Sequence, residues 1–182
     1  MNLTRRGLVA GLAAVAPLVP AYAAPPKADP ELDRAAQNAL GRLTASNPAA
    51  RQLNQKALAV LVFPKIVKVG FLLGGAYGEG ALRQGGRTVG YFNSAAASYG
   101  LQAGAQWFGY ALFFMNADAL KYLDSSAGWE IGSGPSVVIV DAGVAKKFSS
   151  TTLTQDVYAF IFNQKGLMAG LGLEGSKITR IQ

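Results

Sequence analysis

Residues 70–82 read Gly70-Phe71-Leu72-Leu73-Gly74-Gly75-Ala76-Tyr77-Gly78-Glu79-Gly80-Ala81-Leu82, with five glycines in thirteen positions. A phosphate-cradling loop, a membrane helix with small-residue contacts and a strand with bare backbone on one face all use glycine this densely. The three lead to different folds. The dinucleotide fingerprint requires G-x-G-x-x-G and the phosphate loop G-x-x-x-x-G-K-[ST]. Here the order is GGxxGxG and no Lys-Ser or Lys-Thr follows. A Gly85-Gly86 pair comes next, which signals a two-residue hairpin turn and not a helix.

A membrane helix has some support further on, because residues 88–117 carry no charge and Gly100 and Gly104 have small-xxx-small spacing. The same run holds Asn93, Ser94, Ser98, Gln102, Gln106 and four glycines. Side-chain amides are costly in hydrocarbon without partners. A buried sheet accommodates this composition more easily.

The strand reading explains the spacing. Side chains alternate faces along a strand, so Gly70, Leu72, Gly74, Ala76, Gly78, Gly80 and Leu82 share one face. With Gly85-Gly86 as the turn, Gly80 is expected opposite Tyr91 and Gly78 opposite Asn93. An aromatic ring across a glycine restores packing there. The device recurs at Gly100 and Gly104, and again at Gly166, Gly170 and Gly172. Glycine weakens strands, so three such stretches need strong curvature or close approach by another element. The expectation is a tightly bent sheet whose small-residue face is overlaid by a helix or encloses a narrow cavity.

Outward from this core, Asp29-Pro30-Glu31 supplies an N-cap, a proline at the first helical position and early negative charge. Leu32, Ala35, Ala36, Ala39, Leu40 and Leu43 follow at helical spacing. Asn47-Pro48 repeats the signal and opens a second helix through about Lys56. LAVLVF (58–63) reads as a buried strand ended by Pro64, and Asn116 opens a short helix over ADALKYL. SVVIV (136–140), VYAFIF (157–162), GLMAGLGL (166–173) and KITRI (177–181) complete the strand candidates. The fold class is α+β, with N-terminal helices followed by a strongly curved, mostly antiparallel, glycine-rich sheet or barrel.

The N-terminus reads separately. Arg5-Arg6, the apolar run GLVAGLAAVAPLV and Ala21-Tyr22-Ala23 have the three parts of a secretory signal peptide. The run is too short for a bilayer span, which needs about 20 residues. Thr4-Arg5-Arg6 also resembles a twin-arginine export signal. The expected organisation is a signal peptide over 1–23 cleaved after Ala23, a flexible lead over 24–28 and one domain over 29–182, soluble in the periplasm. Of 17 basic residues, Arg5 and Arg6 leave with the signal, and the remaining 15 stand against 10 acidic ones, a net of +5. That excess favours anionic surfaces, while no basic run or aromatic-basic motif points to nucleic acid.

The chain has no cysteine and no histidine, so no disulfide forms and the usual zinc, copper and histidine-based catalytic sites are excluded. No cofactor and no enzymatic activity are expected. Asp29, Glu31, Asp118 and Asp124 read as helix-end charges and Asp33 as a solvated face, while Trp107 and Trp129 read as core aromatics. Lys65 and Lys68 flank Ile66-Val67 just after Pro64, making a basic and apolar tip suited to anionic headgroups.

The stretch Leu61-Val62-Phe63-Pro64-Lys65-Ile66-Val67-Lys68-Val69-Gly70-Phe71, followed by GGAYGEGAL, resembles the opening of the SYLF domain, also called the Ysc-type actin-binding domain. The similarity continues through Ala97–Gln106, Phe113-Phe114-Met115, Gly128–Gly132, Gly166–Gly170 and Leu173–Ile178. It spans roughly residues 50 to 181. The resemblance implies a lipid-binding module, since eukaryotic members bind phosphoinositides and some bundle actin, with lipid contact attributed to a basic segment at the start of the domain. In this chain that region holds Arg51, Lys56, Lys65 and Lys68. The expected ligand is anionic phospholipid or a membrane surface of the bacterial envelope. The alternative is an interaction or structural module with an unknown protein partner. Gly70, Gly74, Gly78, Gly80, Gly100, Gly104 and Gly170 are the glycines expected to be structural.

Overall fold

The structure, a computed structural model, describes residues 27–125, 127–140, 153–166 and 175–181, with backbone only for 71–73, 98–103 and 166. The expected signal peptide and the stretch 167–174, with Gly170, lie outside the described residues. The chain begins with two helices, α1 (Pro30–Ser46) and α2 (Pro48–Lys56). Their boundaries follow from local chemistry. The Asp29 carboxylate accepts the Leu32 N–H at 3.0 Å. Asn47 serves both helices: its N–H donates to the Leu43 carbonyl, and its side-chain oxygen accepts from the amides of Ala49 and Ala50. Each cap satisfies helix-end groups that would otherwise lack partners.

Two long strands follow, β1 (Ala59–Gln84) and β2 (Arg87–Phe114), paired antiparallel along their length. The turn is Gly85-Gly86, with φ of +56° and +81°, as a two-residue hairpin loop requires. Pro64 does not end the first strand. It lies at a register shift between Phe63 and Ile66, where its missing N–H breaks no ladder bond. A second shift separates the pairs Leu82↔Gly90 and Arg83↔Thr88. Val89 is the extra residue, and it moves the expected pairing by one. Gly80 lies opposite Phe92 instead of Tyr91, and Gly78 opposite Ser94 instead of Asn93.

After β2 come α3 (Ala117–Lys121), a 3-10 turn at Tyr122–Asp124, β3 (Trp129–Glu130), β4 (Val137–Ile139), β5 (Val157–Gly166) and β6 (Lys177–Arg180). β2 is the spine of the sheet. One edge carries β1, and the other carries β5 against its second half and β6 against residues 92–95. Trp107 pairs with Lys165 and Ala95 with Lys177, so β5 and β6 meet the same edge without change of register. β3 extends the sheet beyond β6, and β4 extends it beyond β5 in parallel. The result is N-terminal helices followed by a mostly antiparallel sheet curled into a half-barrel. The uncharged stretch 88–117 is almost wholly β2, and no helix among the described residues is long and apolar enough to cross a membrane.

The curl creates two cores. On one face Val60, Val62, Ala81, Tyr91, Ala111 and Phe113 pack under Ala36, Ala39, Leu43, Ala50 and Leu53 of the helices. Alanines on the helices let them lie close to the sheet. On the concave face Leu61, Phe63, Ile66, Leu82, Phe92, Phe108, Tyr110, Leu112 and Phe114 pack together, closed at one end by Trp129. Gly78 and Gly80 of β1 face this second core. A Cβ at Gly80 would lie 2.7 Å from the Val62 carbonyl oxygen and from Cδ1 of Phe63. The element overlying the small-residue face is therefore the first half of β1 itself, where a helix or a cavity was expected. The expected aromatic-over-glycine packing is met at another pair, Gly109↔Phe162, where the ring covers the bare backbone.

Candidate functional site

The four basic residues singled out from sequence do not form one patch. Arg51 is turned back onto α1, its Nε and Nη2 donating to the carbonyls of Thr44 and Ala45 at 2.9 Å. It satisfies the last turn of that helix. Lys56 stands exposed in the last turn of α2. Lys68 is half-buried and pairs across the hairpin with Gln106, a fully buried residue whose amide oxygen and nitrogen have no hydrogen-bond partner among the described residues. Lys65 is exposed on strand β1, not in a loop leaving it, and sits beside Pro64 in the bulge.

Lys65 instead meets residues from two other strands. Between the β2–β5 pairs Trp107↔Lys165 and Gly109↔Phe162, β5 carries two residues, Asn163 and Gln164, against Phe108 alone. Asn163 takes a left-handed backbone conformation, φ +52°, which asparagine tolerates better than most residues. Two bulges on separate strands thus meet at one place, and bulges commonly re-aim side chains beside functional sites. Together Pro64, Lys65, Trp107, Gly109, Asn163 and Lys165 line a cleft of about 330 Å³.

Val67, Trp107 and Lys165 form one row across β1, β2 and β5. Trp107 was expected in the core, but it is 41% exposed. It follows the same alternation as Ala111 and Phe113, which the helices cover, and it lies beyond the helical layer. Trp129, by contrast, is buried, with its indole N–H donating to the Ser133 carbonyl. Val69, adjacent to this row, is 52% exposed. Neither Lys65 nor Lys165 has a carboxylate partner among the described residues, whereas Lys121 and Arg180 are paired with Asp118 and Asp124. The site therefore joins two uncompensated ammonium groups to an aromatic ring and an aliphatic side chain. Lys165 and Asn163 were missed in the sequence because only the β2–β5 pairing brings them here.

The remaining polar clusters have structural roles. Asp33, expected to be solvated, accepts the Thr88 hydroxyl at 2.7 Å and ties α1 to the hairpin. The Asp156 carboxylate accepts from the Asn116 amide, the Ser136 N–H and the Ser136 hydroxyl, joining the starts of α3, β4 and β5. Those donors hold its carboxyl below the usual range, the Ser136 backbone N–H contributing most. On the exposed hairpin Tyr77 donates to Glu79 at 2.9 Å, and that carboxylate raises the phenol's pKa.

No curated protein matches the chain. Residues 95–182, which include most of β2 and all of β5 and β6, match the family model described as Ysc84, Las17-binding protein actin regulator. The match covers two of the three strands that shape the cleft, and over residues 95–182 it agrees with the resemblance to the SYLF domain carried by the motifs.

Proposed function

We propose that the protein is a non-catalytic lipid-binding domain that meets anionic phospholipid at the cleft end of its sheet. The observation that carries this reading is the row Val67–Trp107–Lys165, with Lys65 and exposed Val69 beside it. Tryptophan and lysine both favour the membrane interface, where an apolar body meets the acyl boundary and a polar tip stays in water. Each ammonium near an anionic leaflet contributes about 1 kcal/mol, attenuated by salt over a Debye length of about 8 Å. The signal-like residues 1–23 support export, which would place the domain among the lipids of the bacterial envelope.

Co-sedimentation with phosphatidylglycerol or cardiolipin vesicles tests this. Binding should exceed that to phosphatidylcholine, fall with added salt and fall again in a Lys65→Glu/Lys165→Glu variant that keeps its circular dichroism. Lys56→Glu, on the end of α2, should bind nearly as the wild type does. Mass spectrometry of the exported chain should find Ala24 first. The family's description as a Las17-binding actin regulator supports a second reading, an interaction module for a protein partner. Absence of any vesicle preference, with no lipid extractable from the purified protein, would leave that reading in front.

A further inference from the structure

We infer that the cleft between Lys65 and Lys165 seats one lipid headgroup ending in a phosphomonoester, as in phosphatidic acid, and does more than add to a diffuse positive surface. This rests on the membrane-binding reading above. The cleft, at about 330 Å³, falls at the small end of ligand pockets, which run from about 300 Å³ upward. Its polar groups are the side chains of Lys65, Lys165 and Asn163 and the indole N–H of Trp107. Two ammonium groups and an amide offer many donors, and no acidic residue is among those lining it.

The complement to that set is an acceptor-rich group of high charge. A terminal phosphate carries roughly −1.5 to −2 charges near pH 7 and three acceptor oxygens. A phosphodiester headgroup carries one charge and two non-bridging oxygens. The backbone supports a built site: one bulge exposes Lys65, and the other places Asn163, in its left-handed conformation, two residues before Lys165. Trp107, 41% exposed at the rim, would lie at the level of the glycerol backbone, with Val69 beyond it toward the chains.

The test compares phosphatidylcholine vesicles doped with phosphatidic acid or with phosphatidylglycerol, adjusted to equal zeta potential. Wild-type protein should bind the phosphatidic acid vesicles roughly fivefold more tightly, the effect of about one additional charge contact at the surface. Lys165→Gln should abolish the difference while retaining salt-dependent binding. Asn163→Gly, which suits the backbone at φ +52°, should also narrow it and guards against a folding defect in the lysine variant. Equal affinity of the wild type for both vesicles would overturn the headgroup site and leave membrane binding intact. Binding to neither would overturn both. Saturable binding of glycerol 3-phosphate without vesicle binding would assign the cleft to a soluble phosphate ester and overturn the lipid source.

Discussion

Gly78 lies against Ile66 of its own strand: a Cβ on Gly78 would fall 2.5 Å from Cδ1 and 3.1 Å from Cα of Ile66. β1 is bent so sharply that its second half packs face to face with its first. The Lys65 carbonyl also borders the glycine, so backbone as well as side chain blocks any substituent. Gly78→Val should therefore lower stability by about 1–3 kcal/mol or more, the range for overpacking a core. Gly41, in the middle of α1 with nothing within 4 Å, is the contrast, and Gly41→Ala should stabilise by about 0.5–1 kcal/mol. Glu79→Gln, exposed and still able to accept from Tyr77, should change little. Chemical denaturation of the three variants checks the order; equal midpoints would remove the folded-back strand.

Asp156 should make part of the stability depend on acid. Its carboxyl titrates below the ordinary 3.8 in the folded chain, because Ser136 and Asn116 donate to the ionised form. The unfolded chain takes up the proton first as pH falls. The contribution is therefore complete well above pH 3.8 and is lost as pH drops through the lower folded value. Asp156→Asn should flatten the stability curve in that window and leave its neutral-pH slope unchanged. Urea midpoints between pH 2 and 7 measure this, and parallel curves for wild type and variant would exclude the role.

Much of the fold was legible because its signals are local. Asp29 and Asn47 cap the two helices at the positions that their side-chain chemistry dictates, and Gly85-Gly86 closes the hairpin. The pairing of Gly78 and Gly80 was off by one residue because Val89 bulges, and a bulge at one valine leaves no mark in composition or alternation. The glycine face was recognised as needing a close neighbour, but the neighbour is set by curvature summed over a long strand. The cleft was the least legible part. Lys65 was visible beside Pro64, whereas Lys165 depends on a register between distant strands, and exposure of Trp107 depends on where the helical layer stops.

Gln106 should tolerate an apolar substitute better than a buried amide normally does. It is fully buried on the concave face, and neither amide atom has a partner among the described residues, so the folded state bears its desolvation uncompensated. Unpaired buried groups of this kind cost about 1–3 kcal/mol. Gln106→Leu, similar in volume, should raise the unfolding free energy by an amount in that range, aided by Phe108 and Ile66 in the same core. A lower melting temperature would mean that the amide is satisfied in solution and that its partner belongs to the fold.

The two tryptophans report separately on membrane contact. Trp129 is buried against Phe114 with ring centroids 5.9 Å apart, and its indole N–H is already engaged, so vesicles should not alter its emission. Trp107 stands 41% exposed in the row with Lys165 and should move from water to the interface when lipid binds. The fluorescence of the wild type should therefore shift to shorter wavelength on adding anionic vesicles, with less quenching by iodide. Trp107→Phe should abolish both changes while keeping much of the binding, since phenylalanine retains an apolar ring at the rim. Trp107→Ala should weaken binding by about 1–2 kcal/mol through lost apolar burial, with the salt dependence retained because both lysines remain. A shift that survives in Trp107→Phe would have to come from Trp129. Lipid would then be entering the concave core, and the cleft would no longer be the point of contact.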